Sequence, residues 1–190
     1  MAITSVVTGT KDTQLANRYG LNTALYDYAE YQEGTSQPVL SIDFVNISEI
    51  AISGDMVWAT GGQAHGNKIG FNNPMTGTFK LSTQLMTNQL LALCAGQDIA
   101  TTDKEVVFAN TADGVTPKYF IIKSETVWQA EDGSKFSEDL TFCKALAKRA
   151  LNITYNGEGD PVSVDIEFEL AENDKGEILK IVRDSVEAGE

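Results

Sequence analysis

Residues 162–170 alternate without a break: Val162, Val164, Ile166, Phe168 and Leu170 are apolar, and Ser163, Asp165, Glu167 and Glu169 between them are polar. A period of two belongs to an extended chain with one face in a core and the other turned outward. Slipping the register by one residue would bury the acids, so the pairing of this strand is strongly specified. Its five apolar side chains are worth roughly 1.5–3 kcal/mol each on burial, which predicts a main wall of the core. Just upstream, Leu151, Ile153 and Tyr155 face one way and Asn156-Gly-Glu-Gly-Asp160 turns the chain. The two segments read as an antiparallel hairpin.

The period changes once, within 75–96. Gly77, Phe79, Leu81 and Thr83 alternate with Thr78, Lys80 and Ser82, and then Leu90, Leu91, Leu93 and Cys94 fall at helical spacing. Thr87 is placed to cap this helix, Met86 and Leu91 to staple its start, and Gly96 to supply the left-handed stop. Strand texture also marks two segments across 39–58, then 68–71, 105–110 and 118–129. Residues 136–152 are ambiguous, since Leu140, Cys143, Leu146 and Ala147 suit a helix whereas Leu140, Phe142 and Lys144 alternate. Strand first and irregular linker after is the favoured reading. A last element of open type covers 178–183. With many short strands, one helix and no internal repeat, the expected fold is mainly β, an antiparallel β-sandwich or distorted barrel with one short flanking α-helix.

Residues 1–37 carry no sustained pattern and end in Glu33-Gly-Thr-Ser-Gln-Pro38, so they read as an N-terminal arm leading into a domain over 38–190. Within the arm, Leu21, Leu25, Tyr26, Tyr28 and Tyr31 suit a short strand or a packing patch. The start has no basic residue before Lys11, so no secretory leader is expected, and no stretch approaches the length of a membrane span. Cys94 and Cys143 read as small buried hydrophobes of a chain folded in a reducing cytosol.

The chain has 27 acidic and 14 basic residues, a formal charge of −13, which argues against a surface that grips nucleic acid through phosphates. Only 8 of the 27 acids lie in residues 1–102. Catalytic patterns are weak. His65 is the single histidine and has no second histidine or cysteine nearby for a zinc site. Its loop, Gly61-Gly-Gln-Ala-His-Gly-Asn67, lacks the Gly-Lys-Ser/Thr of a phosphate cradle. There is no Gly-x-Ser-x-Gly elbow, and the turns at 156–160 and 173–177 lack the spacing of a calcium loop. No enzymatic activity, cofactor or metal is expected.

Three segments carry a resemblance: Trp58-Ala-Thr-Gly-Gly62 with Asn67-Lys-Ile-Gly-Phe71, the strand-to-helix block 75–96, and 128–170 with its turns Glu131-Asp-Gly133 and Gly157-Glu-Gly-Asp-Pro161. In this order they cover about two-thirds of the chain, and they resemble the bacteriophage tail tube proteins. That resemblance implies a structural virion protein of the phage tail, synthesised in the host cytoplasm. Six copies would close into a ring by joining sheet edges, and rings would stack into a tube that conducts DNA during ejection without binding it. It also implies tape measure, tail terminator and baseplate or tip proteins as partners, a sheath in contractile tails, and no membrane anchor. Asp165, Glu167 and Glu169 are then candidates to line the lumen, and Gly61, Gly62, His65, Gly66 and Asn67 to form an inter-ring loop. The alternative is a β-sandwich carbohydrate-binding or adhesive virion module with Trp58, Trp128 or the tyrosines as stacking platforms.

Overall fold

A computed structural model describes residues 15–18, 21–60, 67–84, 87–97, 105–108, 118–130, 135–154 and 163–186. Its strands are β1 (Leu15–Arg18), β2 (Leu21–Asp27), β3 (Leu40–Ser53), β4 (Met56–Thr60), β5 (Asn67–Asn72), β6 (Thr76–Thr83), β7 (Tyr119–Ala130), β8 (Lys135–Ala147), β9 (Asn152–Thr154), β10 (Ser163–Leu170) and β11 (Leu179–Val186). The helix α1 (Asn88–Ala95) is the single helix among these residues. The protein is mainly β, as expected, and its pairings are antiparallel.

The main sheet runs β1-β7-β2-β3-β6-β10-β8-β11, with β9 beside β10 and a further long pairing of β7 with β8. Strand β8 meets β10 over three residue pairs only, Ala145 to Ala147, and gives the rest of that margin to β11. The sheet is therefore curled over on itself without closing along its length. Phe142 on β8 stacks on Phe79 of β6 at 4.3 Å between ring centres, although these strands are not hydrogen-bonded neighbours. Two layers thus face each other, β2, β7, β8 and β11 against β3, β6 and β10. Strands β4 and β5 form a separate two-stranded ribbon.

Strand β10 realises the alternation of its sequence: Val164, Ile166, Phe168 and Leu170 are buried, in register with Thr83, Leu81, Phe79 and Gly77 of β6. Helix α1 adds Leu90, Leu93 and Cys94 to the same core. Thr87 Oγ1 accepts from the Leu90 N–H at 3.2 Å, so the cap is the residue its sequence predicts. At the other end Gly96 has φ +73°, donating to Leu93 O while Gln97 donates to Ala92 O, a paired stop that satisfies two end carbonyls. The Met86 side of the expected staple lies outside the described residues.

The structure revises the lead-in. Leu21–Asp27 is an interior strand between β3 and β7, with Leu21 and Leu25 buried, so of the two readings open for that stretch the strand holds. Of the strand expected over 105–110, residues 105–108 form none and 109–110 lie outside the described residues; there Gln97 Nε2 donates to Val107 O, and Val107 and Phe108 are exposed. The ambiguity at 136–152 resolves as strand and then irregular chain. Its helix-like spacing has a cause. Phe120 pairs with Ala145 and Ile122 with Phe142, so β8 takes three steps where β7 takes two, and this bulge buries Cys143 as well as Phe142. The last element, of open type in sequence, is strand β11.

Candidate functional site

The sequence places candidate residues in two groups, and the structure sets them apart. Asp165, Glu167 and Glu169 project from the outer face of β10, opposite its buried row. They are not a bare acidic strip. Across β3, β6 and β10 the register sets Glu49, Lys80 and Glu167 side by side, and Lys148 Nζ lies 3.0 Å from Glu167 Oε1. Charges alternating in sign across neighbouring strands favour one another. Asn152 Nδ2 donates to Asp165 Oδ2 at 3.1 Å. Of the loop candidates, Gly61, Gly62, His65 and Gly66 lie outside the described residues, and Asn67 opens β5 opposite Thr60 at the end of the β4–β5 ribbon.

What sequence reasoning missed is the condition of the sheet margins. Strands β1, β7, β8 and β11 are consecutive neighbours, each antiparallel to the next. Among the described residues no strand pairs with the far side of β1 or of β11. The Cys143 N–H donates to Ile178 O at 2.9 Å, and this sets the alternation along β11. Even-numbered residues such as Lys180 and Val182 turn their backbone groups to β8. Leu179 and Ile181 turn theirs to the open side. Ile181 is 50% exposed and Val182 39% exposed, so the margin carries apolar side chains on both faces as well as backbone groups that no described strand pairs. Such an edge is a template for another strand. The signal in the sequence was Ile178 to Arg183 itself, apolar with too little alternation to reveal two exposed faces.

At the end of β2, four tyrosines meet two lysines. Lys123 Nζ stands 5.8 Å from the Tyr26 ring centre and 5.2 Å from that of Tyr31, while Lys144 Nζ stands 5.2 Å from Tyr28 and 4.8 Å from Tyr119. Tyr26 and Tyr31 meet edge to face at 5.4 Å. A hydrogen bond with Tyr31 raises the Lys123 pKa above its ordinary value, against the opposing effect of burial. The ring faces are thus engaged within the chain. The side chains of Trp58 and Trp128, the other platform candidates, lie outside the description.

Among the described residues no three His, Cys, Asp or Glu side chains gather as a metal site, and no helix is long and apolar enough to cross a membrane. No protein-family model matches the chain, and no curated protein does. Among solved structures it is similar to a crystal structure of Hcp protein, at 11% identity and a TM-score of 0.33, over 90% of this chain and 100% of that one.

Proposed function

We propose that this protein is a tube-building structural subunit, whose copies close into six-membered rings that stack into the tail tube of a phage. The single observation that carries the reading is the pair of open margins on one sheet. Strands β1, β7, β8 and β11 alternate in direction, so β11 of one copy laid beside β1 of the next continues the antiparallel pattern without a break. The two margins differ, so the contact is head-to-tail, the kind that generates rings. The tail tube resemblance of segments 58–71, 75–96 and 128–170 supplies the phage context, with DNA as cargo, the host cytoplasm as the place of synthesis and the virion tail as destination. In that assembly the β4–β5 ribbon reaches a neighbouring ring.

Negative-stain microscopy of the purified chain tests the reading. Rings or tubes of uniform bore are expected, and a protein that stays monomeric at every concentration and salt tested overturns it. A sugar-binding sandwich module would draw on the tyrosine cluster. Lys123 and Lys144 already stand over those rings, which favours the assembly reading.

A further inference from the structure

We infer that β11 beyond Leu179 is a latch: it opens and closes on β8 as a unit while the rest of the subunit stays folded, and the pair of Glu138 with Arg183 is its catch. Strand β10 lies along β8 as far as Ala145, and β11 resumes in the same direction at Phe142, so the two are successive stretches of one margin. The connector between them is pinned at both feet. The Ala171 N–H donates to Lys144 O and the Cys143 N–H to Ile178 O, each at 2.9 Å. Its tip is closed by Asn173, whose Oδ1 accepts from the Lys175 and Glu177 N–H groups. An opening of β11 therefore stops at the foot beside Ile178.

Beyond that foot the strand has little hold on the core. Ile178 and Leu179 pack against it half-buried, whereas Lys180, Ile181, Val182, Arg183 and Asp184 are all exposed. Segments with few buried apolar contacts and solvated backbone hydrogen bonds open before the whole domain does. Glu138 secures this one. It stands on the inward row of β8 with Leu140 and Phe142 and has no exposed surface, yet its partner Arg183 is a half-exposed side chain of β11. The pair holds β11 down, because a carboxylate kept from water depends on its cation. When β11 leaves, β8 becomes the margin and the carboxylate returns to water on it. An inward-pointing charge is one of the devices that keep a bare margin from joining other strands. One residue thus secures the closed strand and guards the edge that the open one uncovers. Where copies join through β11, both sides of the strand are paired and assembly shuts the latch; this last step alone rests on the ring-building reading.

Native-state hydrogen exchange of the free subunit, followed amide by amide by NMR at low denaturant concentrations, tests the latch without a ring. The Lys180 and Val182 amides, with those of Asp139 and Thr141 facing them on β8, are expected to exchange as one group at a rate nearly independent of denaturant. The group is expected to run at least about tenfold faster than the amides of β6 and β10, which wait for global unfolding. In Arg183→Ala, which lacks the catch, it is expected to run roughly 30-fold faster than in the parent. Arg183→Lys keeps the charge and is expected to fall between the two. Amides of β11 that keep pace with β6 and β10 and share their denaturant dependence overturn the latch, and an unchanged rate in Arg183→Ala overturns the catch. Neither result bears on the ring-building reading, which fails separately if the parent forms no assembly.

Discussion

Arg183 on β11 donates from Nε to Oε2 of Glu138 on β8 at 2.5 Å, and the Glu138 side chain has no exposed surface while that of Arg183 is half exposed. The two residues are direct cross-strand partners, so the ion pair fastens β11 to the body of the sheet. A carboxylate taken out of water depends on its charged partners.

Arg183→Ala therefore removes a charged hydrogen bond from a fully buried acid, and is expected to cost about 2 kcal/mol. Chemical denaturation measures it. Glu138→Gln, which removes the charge but keeps the shape, is expected to cost less than Arg183→Ala. Equal stability of Arg183→Ala and the parent would show that the pair contributes nothing.

Gly77 on β6 stands between Ile52 of β3 and Leu170 of β10. A Cβ there would meet Ala51 O and Ile52 Cγ1 at 2.9 Å and Leu170 Cδ1 at 3.2 Å. Two of the three are side-chain atoms, but the carbonyl belongs to a ladder and has no room to retreat. Gly77→Ala is expected to destabilise the fold by roughly 1–3 kcal/mol, although alanine is the better strand former. Thermal unfolding reads the loss, and an unchanged midpoint refutes the close approach.

Ile181 carries its N–H and C=O to the open side of β11, so proline at this position removes a donor that β8 does not use. Ile181→Pro is expected to keep the monomer fold, read by circular dichroism, and to abolish rings in the microscope. Val182→Pro removes a ladder bond to β8 and is expected to destabilise the monomer itself. Rings that survive Ile181→Pro would exclude β11 as the joining margin.

Burial raises the Cys94 thiol from 9.0 to about 11. The unfolded chain therefore loses this proton at a lower pH than the folded one. Stability from the neutral buried thiol is complete below pH 9.0 and falls as pH rises toward about 11. Cys94→Ala lacks this dependence, so the stability gap between parent and variant is expected to shrink across that interval. Denaturation at a series of pH values checks it, and a constant gap would mean that Cys94 does not titrate in the folded protein as stated. The Cys143 pKa is also raised, by burial first and then by the charge of Glu177. Both thiols are expected to resist maleimide at neutral pH until the chain unfolds.

The elements most legible in the sequence were those whose pattern is local. The β10 row, the β6 strand and the Thr87-to-Gly96 helix each announce themselves within a dozen residues, because side-chain direction and capping depend on near neighbours. The segment 136–147 was harder. Its period is broken by a bulge whose extra residue is defined only against β7. Residues 105–108 look like a strand and are none, since propensity cannot supply a partner. Leu21–Asp27 looked like part of an arm because its alternation is short, and its place inside the sheet comes from β3 and β7 on either side.

The sequence by itself determined a mainly β chain, the inward rows of its clearest strands and the ends of its helix, all consequences of short-range periodicity and capping. Only the tertiary structure decided which margins stay open, that Lys80 and Lys148 stand beside the acid row, and that Arg183 lies across from Glu138. Those relations join residues far apart in the chain through hydrogen-bond register, which backbone pairing sets and no local pattern encodes.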